Sequence, residues 1–260
     1  MLWQAKLRAF LVHLALSTLV VGAVLALAVI AWYPHPYFRA MDAWTVVKML
    51  ILVDLVLGPL LTLIVFDPAK RSLRFDLTVV ALVQVTALSY ASLTLYQERP
   101  YFVVFSGDRF EVLAYRDVDL SELKDPALAR KPWRGPRLLV APLPEDPVER
   151  RGLVAAMLMG ERPSLHFDPA FWQPYEDRQD LIASQIRSVQ ALAEADAQAA
   201  RQIERVSQQL GDSDRLGYLP LTARGRDMEL LLDRQDGRPV AVVVGADSTV
   251  ATAAVSEEQP

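Results

Sequence analysis

The sequence contains no cysteine. Disulfides, thiolate metal sites and a cysteine nucleophile are therefore excluded. The compartment is left open, because a domain with an adequate core manages without disulfides even in an oxidising one. Histidine is almost as scarce, with 3 residues in 260, and acids without a second histidine nearby make a poor transition-metal set. No HExxH, P-loop or GxSxG stretch occurs, so no cofactor and no enzymatic activity are expected. The arginines are interleaved with acids rather than gathered into a stripe, which argues against nucleic acid as a partner. No internal repeat is present.

Charge is missing from long stretches of the first hundred residues. Up to Tyr96 there are 7 Lys/Arg and 4 Asp/Glu; from Gln97 onward there are 20 and 27. An apolar membrane part followed by an acidic soluble part accounts for the split. Between Ala9 and Phe38 no Lys, Arg, Asp or Glu occurs. Phe10 to Trp32 is long enough to cross about 30 Å of hydrocarbon. A signal peptide competes, since Ala26-Leu27-Ala28 offers a cleavage triplet. The apolar run continues through Val29, Ile30 and Ala31, which favours an uncleaved anchor. Further spans run over Thr45 to Phe66 and Leu77 to Tyr96. Lys6 and Arg8 precede the first span, Arg39 lies between the first two, and Lys70, Arg71 and Arg74 lie between the last two. By the positive-inside rule the amino terminus is cytoplasmic, and everything after Gln97 is on the far side. The aromatics Trp32, Tyr33, Tyr37, Phe38 and Trp44 fit an interfacial belt, with Pro34 and Pro36 stiffening the loop around His35.

Inside the second span sits one carboxylate, Asp54. An ionised group at that depth costs about 2.5–3.5 kcal/mol on insertion scales, and so marks a functional-site candidate. Asp54, Gly58 and Thr62 are spaced by four and share one helix face; Pro59 cannot donate to the Leu55 carbonyl and is expected to kink the helix. On the third span Gln84, Ala87 and Ala91 form a comparable face. On the first, Thr18, Gly22 and Ala26 do so. Two readings of Asp54 stay open. Either the three faces pack on one another with Gln84 or a hydroxyl bonded to the acid, or the notch receives a polar group from another membrane helix.

The soluble part reads as α+β with an antiparallel sheet and one long helix. Val103–Phe105 and Phe110–Val112 flank a Ser106-Gly107-Asp108 turn. A strand is expected at 137–141 and a helix at 148–159, stopped by Gly160 and Pro163. Ile182, Ile186, Val189, Ala193, Ala200, Ile203 and Leu210 give one apolar stripe over 175–210, interrupted by Asp196. Asp227–Asp233 and Pro239–Val244 flank Asp236-Gly237, a hairpin signal. The layout is thus a three-span membrane domain at 1–98, a soluble domain at 99–245 and a disordered tail at 246–260. His166, with Ser164, Asp168 and Glu161 near it in sequence, is the one stretch that a tethered enzyme would be built around; adjacency in a loop rarely makes a triad.

The stretches Ala31-Trp32-Tyr33-Pro34-His35-Pro36-Tyr37-Phe38, Asp54-Leu55-Val56-Leu57-Gly58-Pro59-Leu60-Leu61-Thr62-Leu63-Ile64-Val65-Phe66, and Arg99-Pro100-Tyr101-Phe102 with Asp108-Arg109-Phe110 resemble those of the TfpX/TfpZ-type (FimB-like) type IV pilin accessory proteins, over roughly residues 8–115. The resemblance implies an inner-membrane chaperone for a major type IV pilin, without enzymatic activity. Pilins of that kind carry an apolar amino-terminal helix with a charged amine and a glutamate near its start. On this reading the pilin helix meets Asp54, Gly58, Pro59, Thr62 and Gln84, and its globular head meets the periplasmic domain. No family site residue comes with the resemblance, so that set rests on the residues alone. A tethered periplasmic enzyme or a sensor component is the alternative, and the sequence leaves homo-oligomerisation open.

Overall fold

The computed structural model describes residues 2–210 and 214–243; the tail expected to be disordered, 246–260, lies outside them. The chain divides into two compact units, one containing residues up to Pro34 together with Asp42–Arg99, the other His35–Met41 together with the chain from Pro100.

The first unit consists of three helices long and apolar enough to cross a bilayer: α1 (Leu2–Trp32), α2 (Ala43–Val65) and α3 (Leu73–Gln97). Each begins before the limit read from hydropathy, because backbone hydrogen bonding continues where the apolar run stops. Pro59 lacks the donor for Leu55. The helix absorbs this in a π-helical stretch, Leu52–Leu57, rather than ending. Such wide turns recur at functional sites, and this one contains Asp54.

The face expected on α1 is not the one used. Gly22 is exposed with nothing within 4 Å of a built Cβ, and Thr18 returns its hydroxyl to its own Leu14 carbonyl at 2.8 Å. Ser17, Val21 and Ala28 are buried instead. One residue of offset rotates a helix face by about 100°, and in an all-apolar run small residues alone do not fix which face turns inward.

In the second unit a mixed sheet has strand order β4-β3-β1-β2-β6-β7-β8, with β5 also pairing β6. The strands are β1 (Phe102–Ser106), β2 (Arg109–Leu113), β3 (Arg137–Val140), β4 (Gln173–Pro174), β5 (Arg187–Ser188), β6 (Leu216–Ala223), β7 (Arg226–Asp233) and β8 (Pro239–Val243). The purely antiparallel sheet is corrected here: β1 pairs β3 and β2 pairs β6 in parallel. Both parallel pairs join strands separated by long crossovers, which no local turn signal reports. The two expected hairpins are present, with Gly107 at φ +64° and Gly237 at φ +68° supplying the left-handed positions.

The expected long helix is also corrected. Residues 175–210 fold as a 3-10 turn (Tyr175–Arg178), a five-residue helix (Gln179–Ala183), strand β5, helix α5 (Val189–Ala195) and helix α6 (Ala197–Leu210), which follow α4 (Pro147–Leu158). Ser188 caps α5, accepting from Gln190 N at 3.3 Å, and Asp196 Oδ1 accepts from Gln198 N at 2.7 Å at the start of α6. Each cap is a helix start inside what periodicity reads as one run.

Register places two apolar clusters on one face of the sheet. Phe102, Val104, Leu113 and Leu139 pack with Leu153 of α4 and with Trp172. Leu216, Leu231 and Val243 pack with Val189, Ala199 and Ile203 of α5 and α6. Between them the same face carries Glu111, Thr222, Asp227 and Glu229. The segment after α1 belongs to this unit: Tyr37, Ala40 and Met41 are buried, and Arg226 Nη2 donates to the Ala40 carbonyl at 3.0 Å.

Candidate functional site

Three polar residues of α2 and α3 are buried. Asp54 is 4 % exposed, Thr62 4 % and Gln84 9 %. Gln84 Nε2 on α3 donates towards Asp54 Oδ1 at 3.4 Å and the Asp54 backbone carbonyl at 3.3 Å. Gly58 and Pro59 are buried alongside. Gly58 lacks a side chain where Gln84 passes, since a built Cβ would lie 1.9 Å from Gln84 Nε2. Asp54, Gly58, Thr62 and Gln84 thus come together as their spacing implies, with the amide of Gln84 as the internal partner of the acid.

That partnership is half complete. Asp54 Oδ2 is buried and has no hydrogen-bond partner among the described residues. A carboxyl oxygen shut away from water and unbonded is costly, so its position invites a donor.

Asp54, Thr62 and Gln84 line a groove of about 760 Å³, walled by Val12, Leu16 and Val20 of α1 and by Leu77, Ala81 and Val85 of α3. Besides Arg8, two further polar residues of α1 line it, His13 and Ser17. His13 Nδ1 lies 2.6 Å from Thr62 Oγ1, tying α1 to α2. Sequence reasoning overlooked both, although His13, Ser17 and Val21 follow at intervals of four on the face that α1 does use. The arrangement is an apolar trough with a polar base, suited to a helix that brings a donor or cation of its own.

In the second unit the stretch around His166 does not assemble a triad. His166 Nε2 sits 3.3 Å from the Arg109 carbonyl, and burial pushes the imidazole below its ordinary pKa. Asp168, 2 % exposed, turns to Arg162 instead, with Nη2 at 2.8 Å. Among the described residues no group of three or more His, Asp or Glu side chains could hold a metal ion.

Residues 1–41 match the model of the family described as fimbrial assembly protein FimB. The chain is 27% identical over 242 residues to the fimbrial assembly protein of serogroup I of Dichelobacter nodosus, covering 90% of this chain and 93% of that one. It is 32% identical over 114 residues to the fimbrial assembly protein of serogroups C1 and C2 of the same organism, covering 43% of this chain and 87% of that one. No solved structure matches significantly.

Proposed function

Since the chain belongs to the fimbrial assembly protein FimB family, we propose that it serves pilus biogenesis as an inner-membrane accessory protein that binds and stabilises a type IV pilin subunit before assembly. In this reading the amino terminus is cytoplasmic and the sheet domain periplasmic. The pilin's apolar helix lies in the groove between α1 and α3, and its globular head meets the sheet domain. The names of the relatives support the biological process. The observation that carries the site is the buried, unbonded Asp54 Oδ2 at the base of an apolar trough.

The energetics are modest and sufficient. Polar contacts between membrane helices average about 0.6 kcal/mol and reach about 1.7, so losing the Asp54 contact weakens binding by about 3- to 20-fold. The remainder comes from side-chain packing along the groove, for which the exposed walls of α1 and α3 are available. The acidic surface of the sheet domain steers a basic pilin head more than it adds affinity.

Co-purification from detergent tests the proposal: the wild-type chain is expected to carry the pilin with it, and Asp54→Ala to lose most of it while pilin abundance in the cell falls. A mutant that keeps the pilin at wild-type level, with the pilin still abundant, makes Asp54 a packing residue within three helices. Failure of the wild-type chain to retain any pilin rejects the chaperone reading itself.

A further inference from the structure

The segment Arg130 to Arg137, RKPWRGPR, carries four cations and no acid, although the soluble region around it is strongly acidic. Trp133 at its tip is 80 % exposed, and Arg130 and Arg134 are exposed beside it. Neither arginine has an ion-pair partner among the described residues. A soluble surface does not gain from a bare indole flanked by unpaired guanidinium groups; a phosphate-rich interface does.

The base of the loop hangs on a residue that closely follows α3 in the chain. Tyr101 follows the end of α3 at Gln97 by four residues. Its hydroxyl donates to the Ala129 carbonyl at 3.1 Å, just before the loop, and its own carbonyl accepts from Arg137 N at 2.9 Å, just after it. Both ends of the loop therefore hang on one residue. Four residues of extended chain reach at most about 14 Å, which keeps Tyr101 near the edge of the bilayer that α3 crosses. A second tether agrees: Arg134, Gly135 and Pro136 line a pocket of about 260 Å³ with His35, Pro36 and Tyr37, which begin three residues after α1 ends at Trp32. Glu176 lines that pocket too, and no acid occurs within the loop itself. Internal bonds hold its shape, with Lys131 Nζ donating to the Gly135 carbonyl at 3.0 Å and Gly135 at φ +80°.

We propose that the Arg130–Arg137 loop is a membrane-surface contact, in which Trp133 enters the headgroup layer and Arg130 and Arg134 bind the phosphates of anionic phospholipids. The contact holds the sheet domain down on the bilayer and is independent of the groove around Asp54.

The absence of native cysteine lets one introduced thiol report depth in the full-length chain. Trp133→Cys carrying a nitroxide is compared in phosphatidylcholine vesicles, in vesicles with added phosphatidylglycerol, and in detergent. Leu158→Cys on α4, 83 % exposed in the native chain, is the reference position. The ratio of oxygen to aqueous nickel-chelate accessibility is expected to rise several-fold at position 133 in the anionic vesicles and to stay level at 158. Arg130→Gln with Arg134→Gln, two exposed and unpaired positions, is expected to remove the rise without altering thermal unfolding. Equal accessibility in all three environments overturns the proposal. So does a rise reproduced in neutral vesicles by inorganic phosphate, which makes the ligand a free anion, or one that appears only when a pilin is added, which makes it a protein.

Discussion

Gln84 occupies the space that a side chain at position 58 would fill, with Nε2 1.9 Å from the point where a Cβ on Gly58 would stand. The glycine is what lets α3 deliver an amide to Asp54. Gly58→Ala forces Gln84 out, and overpacking of this kind costs about 1–3 kcal/mol. Gln84→Ala alone removes the amide from Asp54. In the double variant the new methyl group no longer meets the Gln84 amide, so part of the loss at Gly58 is expected back. Thermal unfolding of the four proteins in detergent measures the coupling; strictly additive losses would show that the contact does not shape the helix.

The 2.6 Å contact of His13 with Thr62 joins α1 to α2 at the same groove. Thr62→Val keeps the shape and removes the hydroxyl, leaving His13 unsatisfied in an apolar wall. A loss of about 0.5–1.5 kcal/mol is expected, and His13→Leu in the Thr62→Val background is expected to cost little more. Unfolding in mixed micelles with rising detergent denaturant reads both, and an unchanged Thr62→Val midpoint contradicts the pairing.

The three long apolar helices and the shared face of Asp54, Gly58 and Thr62 were legible because both depend on local spacing: length of an apolar run, and residues four apart on one helix. Face selection on α1 was not legible, since every side of that helix is apolar and only the partner decides. Strand β6 escaped for a different reason. Gly217 and Pro220 are of the residue types that weaken strands, yet β6 lies inside the sheet between β2 and β7. Its second edge pairs β5 at Gly217 and Tyr218 and β2 at Leu221 to Ala223, so Leu219 and Pro220 fall between the two ladders, where no donor is required. The parallel pairings of β1 with β3 and β2 with β6 connect residues far apart in the chain and leave no mark on local pattern.

Asp196 separates the two accounts of residues 175–210 by sign. In the middle of one continuous helix, Asp196→Ala would stabilise, because alanine is the better helix former. As the cap of α6, bonded to Gln198 N and Ala199 N, the aspartate is expected to be worth about 0.5–2 kcal/mol. Chemical denaturation of the full chain decides: a lower midpoint for Asp196→Ala supports the broken helix, and a higher one supports the continuous one.

Between the two apolar clusters on the sheet face, burial pushes the Glu111 carboxyl up to about 7, with Asp227 adding to it and Arg109 opposing. Glu229 is pushed up to about 6, again chiefly by burial, with Arg187 opposing; its Oε2 has no hydrogen-bond partner among the described residues. Both folded-state values lie above the ordinary 4.5. The folded domain therefore holds protons that the unfolded chain releases. This contribution to stability is complete below about pH 4.5 and is lost as pH rises through 6 and then 7. Other carboxyls shift the opposite way, Asp119 among them through the Ser121 amide, so the overall profile mixes signs and the variants must isolate the effect. Glu111→Gln and Glu229→Gln keep the shape and remove the titration. Relative to the native chain each is expected to gain stability between pH 5 and pH 8, by about 1 kcal/mol once solvent screening is allowed for. Chemical denaturation of the native chain and of each variant at both pH values, followed by near-UV circular dichroism, reads the difference. A difference between variant and native chain that is the same at pH 5 and pH 8 would mean that neither glutamate titrates in this window.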